Sequence, residues 1–424
     1  MSRRRSTHGP TAIRRRRIVL ALLAVLALAA GAAFGATRGG GGDGGGERAG
    51  GSDAAGAGGS GAPTAGGADA AGGSGAAGGG GTAQTPAERA RAAVARMSLE
   101  RQVGQLLIVS FSGTTAPGYV TDALRGGRAA GVILFGGNAP SAASVRALSA
   151  QLQRAAGGDA IVSLDQEGGD IRTLEFAPPS AGQASQPTPA AARASAAATA
   201  AALRDVGVNV TLGPVADVAA TTPGSFMAGR AFPGDARAVA ASVAAAVGAY
   251  RRAGVEPTPK HFPGVGGATQ NTDYDSAAID RTRDQLVAED LAPYRAAQRA
   301  GARIVMTGHA RFPAIDGDTI ASQSRAIVTD LLRGELGFDG VVMTDSLEAR
   351  AVDAATPGDA DVGLAAVRSL AAGNDLLLLT GPGSFPLARE ALIAHARRDS
   401  TIRARVAESA ARVVQLRAAL ASAR

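Results

Sequence analysis

The sequence predicts an α/β domain that closes into a (β/α)₈ barrel of the TIM type. Three observations carry this. Eight short apolar runs follow one another after Gln84, helix-compatible stretches of about 12–20 residues separate most of them, and the runs are continuous, not alternating. Continuous apolar strands suit a parallel sheet buried on both faces, and eight strand–helix units favour closure over an open sheet. The runs are 105–111, 131–135, 160–165, 208–212, 256–261, 303–307, 340–344 and 375–379. Helical patterns fill 188–206, 235–253 and 283–300, and a last helix at 402–422 carries Val406, Val413, Val414 and Leu416. That helix is expected to pack on the outside of the barrel. An open nucleotide-binding sheet would place a Gly-rich phosphate turn after its first strand, and Phe111-Ser112-Gly113-Thr114 is not one.

The barrel domain is expected at 84–424. Residues 37–83 are dominated by Gly, Ala, Ser and Thr, which bury too little apolar surface to offset chain entropy, so a disordered linker is expected there. Residues 1–36 have the form of a signal peptide or an N-terminal membrane anchor. Arg14 to Arg17 precede an apolar or small run over 18–36, with Ala30-Gly31-Ala32 as a cleavage candidate. Either form places the remainder outside the cytoplasm, secreted or tethered through residues 18–36. The formal net charge of +7 arises wholly within the first 48 residues, which hold nine arginines against Asp43 and Glu47. The barrel is therefore neutral and offers no basic face for nucleic acid. Membrane contact is expected only through the N-terminal segment, and a neutral domain is expected to be a monomer. No cysteine is present, which excludes disulfides and a lipid-modified cysteine.

Barrel active sites lie at the C-terminal strand ends. The third strand ends at Asp165, followed by Gln166-Glu167-Gly168-Gly169; the fifth ends at Lys260-His261; the sixth leads to His309 and the seventh to Asp345. One aspartate after a strand is commonly a helix cap. Four strands delivering ionisable groups to one rim argue for chemistry. Lys260 is the sole lysine in a chain with 43 Lys and Arg residues, so an ammonium stands where arginine is used everywhere else. A lysine at a strand end would also suit a Schiff-base aldolase, which leaves Asp345 and the Asp165 motif unexplained. A dedicated saccharide-binding protein is a further alternative, although aromatic residues make up only 3% of the chain and tryptophan is absent. By position, Glu167 reads as a loop-turning residue, His395 as surface, and His309 as either support or structure.

Six ordered segments resemble glycoside hydrolase family 3, most of all its single-domain β-N-acetylglucosaminidase branch. They are Leu164-Asp165-Gln166-Glu167-Gly168-Gly169, Asn209 to Asp217, Gly229-Arg230-Ala231-Phe232, Lys260-His261-Phe262-Pro263-Gly264, Met306-Thr307-Gly308-His309 and Gly340 to Asp345. The resemblance implies a retaining hydrolase of N-acetylhexosamine glycosides, with a carbohydrate substrate and no metal or organic cofactor. It implies Asp345 as the nucleophile, and Asp165, Arg172, Arg230, Lys260 and His261 as sugar-binding residues. Retaining chemistry needs a carboxylate beneath the anomeric carbon and a proton donor beside the leaving oxygen.

The chain departs from the family at the proton donor. Lys-His-Phe-Pro-Gly-His-Gly is there followed by Asp-Ser-His, whose histidine is the acid/base and whose aspartate orients it. Here Val265 stands for the first histidine, Asn271 for the orienting aspartate and Asp273 for the catalytic histidine. In one reading Asp273 donates the proton, with Asp275 behind it as a candidate. In the other, Asp273-Tyr274-Asp275 is a polar loop tip and the protein binds saccharide with little or no turnover.

Overall fold

The computed structural model describes residues 84–219, 221–355 and 361–423. The proposed signal or anchor and the Gly-rich linker lie outside the described residues. Eight parallel strands form the central sheet: β1 (Leu107–Val109), β2 (Gly131–Ile133), β3 (Ile161–Leu164), β4 (Val210–Thr211), β5 (Glu256–Pro257), β6 (Ile304–Thr307), β7 (Val341–Ser346) and β8 (Leu376–Leu379). Each pairs with its sequence neighbour from β1 to β5 and from β6 to β8, and β8 returns to pair with β1. The remaining seam closes just past β5, where Phe262 N donates to Met306 O (2.7 Å) and Met306 N to Pro259 O (3.0 Å). All eight expected strands are present, as a nearly closed (β/α)₈ barrel.

The helices of the eight units are α1 (Gly118–Arg125), α2 (Ala142–Ala156), α3 (Pro189–Asp205), α4 (Ala236–Arg252), α5 (Ala292–Arg299), α6 (Ala326–Glu335), α7 (Val362–Ala372) and α8 (Ser384–Arg398). Local chemistry sets their ends. Thr188 caps α3 by accepting from Ala191 N, with Pro189 at the first helical position, and Asp235 caps α4 by accepting from Ala238 N. The buried face of α4 is Val239, Ser242, Val243, Ala246, Val247 and Tyr250, the spacing of one helical stripe.

Strand periodicity then aims the chemistry. Ile161 in β3 and Val341 and Met343 in β7 belong to the inner core, whereas Val162, Leu164 and Val342 belong to the shell between sheet and helices. Successive side chains alternate between faces, so Asp165 and Asp345 continue the inward rows of their strands into the barrel mouth.

The final helix (Ser400–Ala421) differs from expectation. Instead of lying against the outer wall, it crosses the N-terminal end of the barrel, and Val413, Leu416 and Leu420 join the inner core. Polar anchors hold it there. Asp375, fully buried at the start of β8, meets Arg333 (2.5 Å), Arg405 (2.6 Å) and Arg412 (3.4 Å), and accepts from Ser409 Oγ (2.8 Å) and Val342 N (2.9 Å). Burial raises the Asp375 pKa, but the three arginines and the amide outweigh it and leave the group below its ordinary value. A carboxyl with a depressed folded pKa contributes stability that is complete above its unfolded value and is lost as pH falls through its folded one. Asp375→Asn strands three guanidinium groups at one point and is expected to cost about 3–5 kcal/mol. Urea denaturation would show a lower midpoint at neutral pH and a flatter acid dependence than wild type. An unchanged midpoint would mean that the arginines are satisfied by solvent.

Candidate active site

The first ion cluster spans the ends of β3 and β5. Beyond Asp165 the chain turns back in a two-stranded ribbon, Gln166–Gly168 against Ile171–Arg172. Gly168 lies at φ +98°, and a Cβ there would sit 2.3 Å from Ala181 O, so only glycine fits the turn. Gln166 staples the ribbon by accepting from Leu174 N (2.9 Å) and donating to Pro178 O (3.0 Å). This packing drives Glu167 inward. Lys260 Nζ lies 2.5 Å from Asp165 Oδ1 and 2.6 Å from Glu167 Oε1, and Arg230 forks onto Glu167 with bonds of 2.9 and 2.8 Å. Burial pushes the Glu167 pKa up, yet Lys260 and Arg230 bring it down to about 2. Lys260 is pulled the other way. Burial lowers its pKa and the charges of Asp165 and Glu167 raise it further, so the ammonium stays charged.

Lys260 owes its position to β4. Its carbonyl accepts from Ala216 N (2.7 Å) and its amide donates to Pro214 O (3.2 Å), which extends the β4–β5 pairing beyond both strands. The adjoining His261 faces two carboxylates. Its Nδ1 lies 2.8 Å from Asp217 Oδ2, and its Nε2 lies 3.9 Å from Asp345 Oδ2. Asp217 is fully buried and also accepts from the amides of His261 (3.3 Å) and Val265 (2.7 Å). A carboxylate on Nδ1 fixes the proton there and leaves Nε2 toward the cleft.

Asp345 ends the inward row of β7, with Oδ1 accepting from Ser346 N (2.7 Å). Burial pushes its pKa up, but the imidazoles of His261 and His309, the Lys260 ammonium and the Ser346 amide together hold it below the ordinary carboxylate range. His309 supports the same turn from behind. It is fully buried, its Nδ1 lies 2.8 Å from Ser322 Oγ and its Nε2 lies 2.9 Å from Ser346 O. The carbonyl partner assigns the proton to Nε2. Burial is the main cause that lowers its pKa, against the opposing pulls of Asp345 and the Ser346 carbonyl.

Asp273 comes in on the loop after β5. Asn271 Oδ1 accepts from Asp273 N (3.0 Å), which folds the loop tip. Two backbone bonds pin that tip to the loop after β7: Arg350 N donates to Asp273 O (3.2 Å) and Ala351 N to Thr272 O (3.1 Å). The side chain is open to solvent at the surface yet flanked by the cleft. Loss of hydration is the first cause that raises its pKa and the charge of Asp345 the second, against opposing pulls from His261, His309 and Arg230. Asp345 and Asp273 thus form a pair of carboxyls shifted in opposite directions.

The sequence-predicted residues largely converge. Asp165, Lys260, Arg230, His261, Asp345 and Asp273 share one electrostatic neighbourhood. Arg172 stands on the return strand of the ribbon opposite Gln166, and its buried Nε finds no hydrogen-bond partner among the described residues. Asp275 turns away, accepting only from its neighbour Ser276 N (2.8 Å) among the described residues. Val265 is buried, with its amide on Asp217. Phe262 is core, edge-on to Tyr294 with ring centroids 5.1 Å apart.

Two groups exceed the sequence reading. Glu167 is a buried charge that binds Lys260 and Arg230 at once, not a loop-turning residue. Asp217 orients His261 from the loop after β4, well past the strand end. Glu167→Gln is expected to lower kcat/KM by about 10–100-fold through misplacement of Lys260 and Arg230. Steady-state kinetics would read this. A loss of less than twofold would mean that Asp165 alone holds the lysine.

A parallel barrel with two carboxyls and an ion cluster at its mouth is a scaffold that suits a glycosidase. Residues 98–416 match the glycosyl hydrolase family 3 N-terminal domain, and the chain belongs to that family. An uncharacterized secreted glycosyl hydrolase of Arthroderma benhamiae is 34% identical over 305 residues, 69% of this chain and 84% of that one. A β-hexosaminidase of Xanthomonas oryzae is 34% identical over 252 residues, 57% of this chain and 75% of that one. Among solved structures, a family 3 β-N-acetylglucosaminidase from a Paenibacillus species superposes with a TM-score of 0.70 at 33% identity, covering 76% of this chain and 63% of that one. The β-N-acetylhexosaminidase of Beutenbergia cavernae gives 0.68 at 34% identity, over 76% of this chain and 99% of that one. The present chain therefore spans less than two thirds of the Paenibacillus protein. No helix among the described residues is long and apolar enough to cross a membrane.

Proposed function

We propose that the protein is a retaining β-N-acetylhexosaminidase that removes terminal β-linked N-acetylhexosamine. The observation that carries this reading is the pair of carboxyls with opposite pKa shifts, Asp345 at the end of β7 and Asp273 on a loop hydrogen-bonded to the segment that follows β7. Asp345, kept ionised, attacks the anomeric carbon and forms the glycosyl-enzyme intermediate. Asp273, kept protonated, gives its proton to the leaving oxygen and then activates water as a base. Asp165, Lys260, Arg230 and His261 hold the sugar's hydroxyls and N-acetyl group, and Arg172 turns its free Nε to the same ligand. The names of the hexosaminidase relatives support the sugar class. We place the enzyme outside the cytoplasm as a monomer acting on cell-wall saccharides. Residues 1–36 serve as signal or anchor, 37–83 as spacer and 84–424 as the barrel, and the secreted relative agrees with that location.

The direct test is intact-protein mass after incubation with a 5-fluoro N-acetylglucosaminyl fluoride. Its activated leaving group makes the first step independent of the acid. A stable adduct, lost in Asp345→Asn, is expected. The absence of the aspartate–histidine dyad favours a second reading, saccharide binding without turnover. No adduct with this probe or with other hexosaminide and glucoside probes, while a family relative is labelled in parallel, would select it.

A further inference from the structure

A second groove opens between the loops that follow β1, β2 and β8 and the flanking helices α1 and α8. It encloses about 890 Å³. That falls within the roughly 300–1,000 Å³ of clefts that hold a drug-sized ligand, hence a short saccharide. The groove's wall touches the residue next to Asp345. Thr380, in its wall, lies 2.6 Å by its hydroxyl from Ser346 Oγ, and Ser346 directly follows Asp345. None of the ion cluster around Lys260 reaches it, so it is not the pocket for the terminal sugar.

Its lining is unusual for this chain. The whole sequence has only 14 aromatic residues, 4 Tyr and 10 Phe. Four of them are exposed among the described residues, and two of those four, Tyr119 (56% exposed) and Phe135 (40% exposed), face this groove, with Phe385 beside them. Exposed rings next to hydroxyl-binding groups are what the apolar face of a pyranose stacks on. The polar complement is there as well. Arg389 lines the groove, and its buried Nε lacks a hydrogen-bond partner among the described residues, a donor that a sugar hydroxyl would satisfy. A lipid chain would leave the Arg389 donor uncompensated, so the mixed lining favours a hydroxylated ligand.

We propose that this groove holds the leaving-group side of a saccharide chain, with the sugars beyond the scissile bond stacked on Phe135 and Tyr119 while the terminal sugar sits over Asp345. The proposal rests on the hydrolase reading above and adds to it a preference for oligosaccharides over simple glycosides.

The test uses the full chain carrying Asp345→Asn, which prevents turnover, titrated calorimetrically with triacetylchitotriose and with N-acetylglucosamine. Adding Tyr119→Ala and Phe135→Ala is expected to weaken the trisaccharide about tenfold and leave the monosaccharide unchanged. Both rings are exposed, so folding should be spared. An unchanged rate on N-acetylglucosaminyl fluoride, which carries no sugar or ring on the leaving side, checks this with Asp345 restored. Unchanged trisaccharide affinity would overturn the groove while leaving the hydrolase reading intact. So would a loss confined to an alkyl N-acetylglucosaminide, which would assign an apolar aglycone instead. A selective trisaccharide loss in a protein whose parent hydrolyses nothing would keep the groove and remove the hydrolase.

Discussion

Asp345→Asn is expected to reduce kcat on any N-acetylglucosaminide by about 10⁴-fold or more, with little change in monosaccharide affinity. The size follows from what the carboxylate does alone. It supplies the covalent bond of the intermediate, and it supplies the negative charge that faces an oxocarbenium-like transition state. An amide of the same shape does neither at a useful rate. Burial would favour a neutral carboxyl at this position, so the ionised form exists only because His261, His309, Lys260 and the Ser346 amide surround it. Binding depends on other groups. Asp165 and the Lys260–Glu167–Arg230 cluster sit on β3, β5 and the loop after β4, and the substitution leaves their hydrogen bonds in place. Calorimetry and steady-state kinetics on the same preparation separate the two effects. In the truncated variant Asp345→Gly, azide should restore part of the turnover and yield an α-glycosyl azide, because a small anion can enter where the carboxylate was removed. Turnover within tenfold of wild type would remove Asp345 from the nucleophile role.

Much of this site was legible in the sequence because the strands and their ends placed it. Continuous apolar runs marked strands buried on both faces, and the rule that barrel sites lie at the C-terminal strand ends picked out Asp165 and Asp345, whose inward rows the structure then shows. Lys260 announced itself as the one lysine. Residues whose role arises from long-range packing were not legible. Glu167 precedes two glycines and looks like part of a turn; only the ribbon held by Gln166 directs it beneath Lys260 and Arg230. Asp217 acts through His261, 44 residues further along the chain. The final helix shows the same limit at the other end of the barrel. Its apolar stripe predicts a buried face but not which surface buries it, and that is decided by Asp375 and by Asp159 at the foot of β3, where Arg417 is anchored.

Asp273→Ala should separate substrates by leaving group. A proton donor matters in proportion to the basicity of the departing oxygen, so hydrolysis of an N-acetylglucosaminyl disaccharide is expected to fall by about 10²–10⁴-fold, and that of a dinitrophenyl glycoside far less. Equal losses on both would remove the acid role. The chain makes this assignment physically coherent without the aspartate–histidine pair seen in the family. An imidazole acid needs a carboxylate partner to fix its tautomer and hold it cationic; a carboxyl acid needs neither. It needs a raised pKa, and here desolvation in the cleft and the negative charge of Asp345 provide one. Asn271 at the former orienting position adds no second negative charge and instead folds the loop by accepting from the Asp273 amide. The pH profile follows from the signs. Asp345 must be ionised, so activity falls as pH drops through its lowered pKa. Asp273 must be protonated, so activity falls as pH rises through its raised pKa, and the optimum lies between the two. Asp273→Ala is expected to abolish the alkaline limb with the dinitrophenyl substrate and to keep the acid one. An alkaline limb that survives the substitution would remove Asp273 from the acid role.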